Sequence, residues 1–146
     1  PFVRSVLGRD GGVPASEVRR RIQETMWINS MICKNEANLT RCIDELELIR
    51  DRDLPRVRPD GSDSDIDLFG ALDIHNLWQT AHIIATVSRE RKESRGPHYR
   101  TDYPEPSDAF AGSYVIRPLI AAADAGPGKT VDYTPELTEP STLQFP

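Results

Sequence analysis

At 146 residues the chain suits one domain, and an apolar content of 38% with a mean hydropathy of −0.50 leaves it a lean core. A net charge of −5 and a pI near 5.2 argue against the basic face that non-specific nucleic-acid binding needs. No apolar run approaches the roughly 18–20 residues that span a bilayer, and no signal-peptide pattern opens the chain. Pro1 instead of Met at its head reads as a fragment or a processed piece. Cys33 and Cys42 have no CxxC spacing and no nearby His cluster. They read as buried thiols of a reducing, cytoplasmic compartment and not as a disulfide framework or a zinc site.

Residues 1–14 read as a flexible lead-in. Its glycines, Gly8, Gly11 and Gly12, fit neither a dinucleotide fingerprint nor a P-loop. Pro14 and Ser16, with Glu17 behind them, predict a helix start. Val18, Ile22, Met26, Trp27 and Ile28 supply an apolar face over 15–31, with Arg19, Arg20, Arg21 and Glu24 opposite. Asn35 or Asn38 is placed to cap a second helix over 36–53, striped by Ala37, Leu39, Cys42, Ile43, Leu46 and Ile49. Glu36, Asp44, Glu45 and Glu47 read as its solvated face. Pro55 to Ile66 is a turn-rich loop. Asp60, Asp63, Asp65 and Asp67 faintly suggest a calcium loop, but the glycine and the distal glutamate of an EF-hand are missing, so no metal is expected.

A third helix is predicted over 67–95, with Leu68, Leu72, Leu77, Trp78, Ala81, Ile84, Ala85 and Val87 mostly three or four apart. Arg89, Arg91, Lys92 and Arg95 face the negative end of its dipole. Gly96 falls where a left-handed C′ residue belongs, and Pro97 forbids continuation. Beyond it, 104–146 reads as an extended tail with a short hairpin: Tyr114–Ile120, a turn at Ala125–Gly128, then Thr130–Tyr133. The expected fold is mainly α: an antiparallel three-helix bundle, spectrin-repeat-like, over 15–103, with an irregular, partly β tail.

The end of the third helix resembles a known family. Asn76-Leu77 lies near its start, and Glu93, Ser94, Arg95, Gly96, His98, Arg100, Asp102 and Pro104 fall in a Glu-Ser-Arg-Gly-x-His-x-Arg-x-Asp-x-Pro frame. This resembles the C-terminal signature of the succinate dehydrogenase, fumarate reductase and L-aspartate oxidase flavoproteins. Met26-Trp27 and the tail's Tyr133-Thr134-Pro135 are also similar to that family. Pro97 departs from it. So does Ser30-Met31-Ile32-Cys33-Lys34, which lacks the family's glycine and carries lysine near its arginine.

The resemblance implies an FAD-dependent oxidoreductase in which FAD belongs to the full-length protein. No strand–GxGxxG–helix unit is visible here, and the family's catalytic His and Arg residues precede the region matched. This chain alone is therefore expected to hold no catalytic residue, no cofactor and no metal. Glu93, Ser94, Arg95, Gly96, His98, Arg100 and Asp102 read as a structural and docking knot, and Trp27 and Trp78 as core or inter-domain anchors. The implied partners are the flavin-binding domain of the same protein, a second copy of the chain and an iron–sulfur subunit. Contact with nucleic acid or direct membrane insertion is not expected; any approach to the inner face of a membrane would come through partners. Two rivals stand beside this reading: a stand-alone helical protein-interaction module, and a small enzyme using Arg95, His98 and Arg100 on an anionic substrate.

Overall fold

Three stretches of this chain repeat inward-facing residues mostly at steps of three and four, and each becomes a helix. In the computed structural model, which describes residues 6, 11–61, 65–118 and 132–138, these are α1 (Ala15–Asn29), α2 (Glu36–Arg52) and α3 (Asp65–Glu90). Ala15, Val18, Ile22, Thr25 and Asn29 face inward on α1, and Leu39, Cys42, Ile43, Leu46 and Ile49 on α2. On α3 the buried positions are Ala71, Ile74, Trp78, Ala81, Ala85 and Ser88. A mean step of three and a half keeps such a seam turned towards its neighbours, and each helix packs against the other two. The three alanines of α3 flank Ile74 and Trp78, so bulk on one helix meets space on another. Each fully buried Val, Ile or Leu contributes about 1.5–3 kcal/mol. The Trp78 indole N–H donates to the Leu46 carbonyl at 2.6 Å, which satisfies its polar edge inside the core.

The starts of α1 and α2 are fixed differently. Asn35 caps α2 from the adjacent position, its Oδ1 accepting from the Asn38 N–H at 2.8 Å. Pro14 offers α1 no side-chain cap, and Asp60 supplies one from across the fold. The Asp60 carboxylate accepts from the Ser16 N–H at 3.0 Å and from the Ser16 hydroxyl at 2.7 Å. Asp60 is thus committed to a helix start, and Asp63 lies outside the described residues.

Short strands tie the ends down. β1 (Val13–Pro14) runs parallel to β3 (Val57–Arg58), β2 (Cys33–Lys34) parallel to β4 (Tyr99–Arg100), and β5 (Tyr114–Pro118) antiparallel to β6 (Tyr133–Leu137). The last part of the expected lead-in is therefore anchored, not loose. A side chain at Gly12 would bring its Cβ within 2.3 Å of the Arg56 carbonyl oxygen, and Val6 is buried in the core. Residues 1–5 and 7–10 lie outside the described residues.

Four further expectations change. α3 ends at Glu90 instead of Arg95. Trp27 and Ile28 are each 69% exposed, because the inner face of α1 continues through Thr25 and Asn29, polar residues that hydrogen-bond to Glu45. Cys42 is buried, with its thiol pushed up to about 11 by burial, whereas Cys33 is exposed. The second hairpin strand begins at Tyr133, where it was expected to end, and the proposed turn Ala125–Gly128 lies outside the described residues. Tyr133 moors this strand: its hydroxyl is hydrogen-bonded with His82 Nδ1 at 2.8 Å and with Thr86 Oγ1 at 3.1 Å. Burial pushes the His82 pKa down, consistent with a neutral ring stacked on Trp78 at 4.9 Å. No helix among the described residues is long and apolar enough to cross a membrane.

Candidate functional site

The residues after α3 form two ionic clusters sharing one backbone loop. Glu93 centres the first and is fully buried. Its carboxylate accepts from Arg95 Nε at 3.1 Å and Nη2 at 3.0 Å, from the Ser107 N–H at 2.8 Å, and from Arg91 Nη1. Burial alone would raise the Glu93 pKa. The hydrogen bonds from Arg95, Ser107 and Arg91 outweigh it and bring the carboxyl down to about 2. Arg91 also donates to the carbonyls of Phe110 at 2.8 Å and Gly112 at 2.7 Å, and lies over the Tyr114 ring at 5.3 Å. The cluster thus pins the tail at 107–114 to the end of α3.

Arg100 centres the second cluster and is also fully buried. A guanidinium has five N–H donors, and all five are used here. Nε and Nη2 clamp Asp102 at 2.8 and 2.7 Å, and Nη2 also reaches Glu36 at 3.0 Å. Nη1 donates to the Ser88 and Arg89 carbonyls at 3.0 and 2.9 Å. Those carbonyls belong to the last turn of α3, where intrahelical donors run out. Asp102 in turn accepts from the Glu36 N–H at 2.9 Å, in the first turn of α2. The Arg100 bond pulls the Asp102 carboxyl down to about 2, against some burial. One Arg–Asp pair therefore closes the C-terminus of α3 and the N-terminus of α2 together.

This explains the early end of α3. Arg100 takes its terminal carbonyls, and Glu93 must leave the helix to reach its donors. Gly96 is not the C′ residue; at φ +56° it is the first corner of a tight turn in which Arg95 and His98 exchange backbone hydrogen bonds at 2.8 and 3.1 Å. Glycine at that corner followed by Pro97 suits a type II′ hairpin turn. Ser94 joins the clusters through backbone: its hydroxyl accepts from the Arg100 N–H at 2.8 Å and donates to the Tyr103 carbonyl at 2.8 Å.

His98 Nε2 lies 3.2 Å from the Arg91 carbonyl and so carries the hydrogen it donates. Burial pushes its pKa down, the Arg91 bond works against this, and the charges of Lys34, Arg91 and Arg100 add to the lowering. A neutral His98 and a saturated Arg100 make a poor anion cradle, and carboxyls near 2 are far from what proton transfer at neutral pH needs. The arrangement is suited to holding chain segments together. Sequence reasoning missed Arg91, taken for a dipole cation, and Glu36, taken for a solvated acid. It also missed the Ser107 N–H and the α3 carbonyls, which carry no side-chain signal at all.

Fold and site together describe a mainly helical domain whose exit is ion-paired back onto its own helix ends. The family described as fumarate reductase flavoprotein C-term matches residues 19–144, and the chain belongs to it. Among curated relatives, a polypeptide of the CoM/CoB fumarate reductase of Methanothermobacter marburgensis is 30% identical over 110 residues, covering 74% of this chain and 20% of that protein. The fumarate reductase flavoprotein subunit of Haemophilus influenzae is 27% identical over 129 residues, 87% of this chain and 21% of that one. The chain thus spans about a fifth of these relatives. Among solved structures, Sdh1 of Mycobacterium smegmatis in complex with UQ1 superposes with a TM-score of 0.79 at 20% identity, over 94% of this chain and 23% of that one. The quinol fumarate reductase of E. coli gives 0.75 at 22% identity, over 97% and 24%. These two establish the fold.

Proposed function

We propose that this chain is the C-terminal helical part of a longer FAD-dependent oxidoreductase and that it serves structure and docking, while hydride exchange between flavin and a dicarboxylate-type substrate takes place in the preceding part. The carrying observation is the saturation of the knot: Glu93 and Arg100 are sealed, and their bonding groups are spent on the chain itself. The residues present do not fit FAD, because among the described residues no strand leads through a glycine-rich turn into a helix to cradle a pyrophosphate. In this reading the knot sets the angle at which the tail leaves an antiparallel bundle over 15–103. The faces the bundle leaves apolar meet the flavin-binding part and neighbouring subunits.

The test is a visible absorption spectrum of the purified chain before and after FAD, read again after gel filtration. The expected result is a colourless protein, with flavin bands appearing only in a longer polypeptide that contains this chain. Flavin bands that stay with residues 1–146 through the column would overturn the reading.

A further inference from the structure

Among the described residues the buried charges find their opposites, with one exception. Asp53, 1% exposed, accepts from Arg21 at 2.8 Å and Arg52 at 3.0 Å, and Glu93 and Arg100 are paired as described. Lys34 is 8% exposed, yet among the described residues its ammonium has no hydrogen bond or ion pair. Burial pushes its pKa down, and the Cys33 thiol acts the other way; among the described residues no carboxylate contributes. Removing a charge from water without a counter-charge is costly. The ammonium is also not sealed in. Among the described residues, Lys34 Nζ is not one of the side-chain atoms that are both fully enclosed and without a hydrogen bond.

Lys34 stands opposite buried Arg100 across β2 and β4, near enough for its charge to act on His98, and the segment just before it is apolar and exposed. Met31 is 41% and Ile32 69% exposed, and Tyr99, paired with Cys33 on the outer face of β2 and β4, is 40% exposed. Met31 also lines a groove of about 420 Å³ between α1 and α3, with Met26, Trp27, Leu77 and Ile84. Exposed aromatic and methionine side chains close in the chain to an unpaired, mostly buried lysine are typical of a protein–protein contact, where a few such residues dominate affinity. The unpaired charge is positive, so the complementary surface must bring a carboxylate.

We infer that the Met31–Lys34 edge docks the preceding part of the same polypeptide, which sets an aspartate or glutamate on the Lys34 ammonium and apolar side chains in the Trp27–Met31 groove. This rests on the reading of the chain as about a fifth of a longer flavoprotein. A water-soluble carbodiimide, which joins an amine to a carboxylate it touches, tests it in the longer polypeptide. Peptide mass spectrometry is expected to find Lys34 linked to an Asp or Glu outside residues 1–146. Acylation of Lys34 by an amine-reactive ester should fall several-fold from the isolated chain to the longer polypeptide, while exposed Lys92 reacts equally in both. Lys34→Met should leave the isolated chain's Tm unlowered, since it removes only an unpaired charge, and should lower that of the longer polypeptide. Equal acylation of Lys34 in both, or a link only within residues 1–146 or to a separate protein, overturns the inference. Flavin absorbance of the same sample separates the two claims. A yellow polypeptide with freely acylated Lys34 removes this inference alone, and a colourless one removes the proposed function with it.

Discussion

The seam between the helices and the knot at their exit both bury their central side chains, and they are held by opposite kinds of bonding. The seam is shape: Ile22, Leu46, Ile74 and Trp78 are buried in one cluster with Ala71, Ala81 and Ala85. The knot is direction: Arg100 and Glu93 each serve several partners along fixed lines. Packing forces act between any apolar surfaces of the right volume, so a seam tolerates exchange of one hydrophobe for another. A buried ion tolerates no vacancy, because a lost partner strands the opposite charge in a medium that cannot solvate it.

The largest effect should come from Arg100→Ala. It takes the clamp from Asp102 and leaves the Ser88 and Arg89 carbonyls without these donors, and each buried acceptor so orphaned costs about 1–3 kcal/mol. A domain of this size commands only about 5–15 kcal/mol in all. Urea denaturation of the purified chain reads the loss. Arg100→Lys should recover little, since an ammonium has three donors and no planar fork for Asp102. Leu46→Ala comes next, at about 2–5 kcal/mol, with Leu46→Met under about 1.5. The comparison rests on that contrast: the size-preserving exchange rescues the seam, and the charge-preserving exchange fails the knot. If Arg100→Lys proved as mild as Leu46→Met, the knot would be packing in disguise.

Acid should separate the regions without mutation. The Glu93 carboxyl is held at about 2 against an ordinary 4.5, because the bonds from Arg95, Ser107 and Arg91 overcome the opposing effect of burial. The unfolded chain takes up that proton near 4.5 and the folded chain only near 2. Stability that is complete above about pH 4.5 is therefore lost as pH falls towards 2, roughly 3 kcal/mol at about 1.4 kcal/mol per pKa unit. Asp102, drawn from 3.8 to about 2, adds to the loss over the lower part of that range. His98 and His82, pushed below 6.5 mainly by burial, start the decline as pH drops through 6.5. Denaturation midpoints from pH 8 to 2 should follow this course, and Glu93→Gln should flatten its lower part. A wild-type curve level from pH 5 to 2 would mean that the carboxylates are not held as described.

The two regions also differed in how far they could be read in advance. α2 was legible because its inner face is apolar throughout, from Leu39 to Ile49. α1 and α3 were legible as helices and blurred in phase. Thr25, Asn29 and Ser88 turn inward while Trp27, Ile28 and Ile84 turn out, and an apolar pattern reports burial within a chain only when all of that burial is made by that chain. Family resemblance brought out Glu93, Arg95, Arg100 and Asp102 as a group. It could not say that a guanidinium more than ten residues on takes the carbonyls of Ser88, so Gly96 was read as the helix stop. Nor could it show Glu36 facing Arg100, since a first-turn acid on a polar face looks solvated until the partner segment arrives. Partners brought by the fold have no spacing rule to betray them.

The smallest expected effect sharpens that last point, because it compares two caps that do the same work. Asn35 caps α2 from beside it, whereas Asp60 caps α1 from 44 residues away, bonding both the N–H and the hydroxyl of Ser16. Replacing a capping side chain by alanine costs about 0.5–2 kcal/mol, so Asn35→Ala and Asp60→Ala should have similar stability costs. Their reach should differ. Asn35→Ala frays one helix end, while Asp60→Ala also frees the loop that carries β3 beside β1. Amide hydrogen exchange should therefore quicken at Asn38 alone in the first variant, and at both Ser16 and the Val57–Arg58 strand in the second. Exchange confined to Ser16 in Asp60→Ala would show that β1 and β3 hold each other without the cap, and the remote cap would then be no more integrated than the local one.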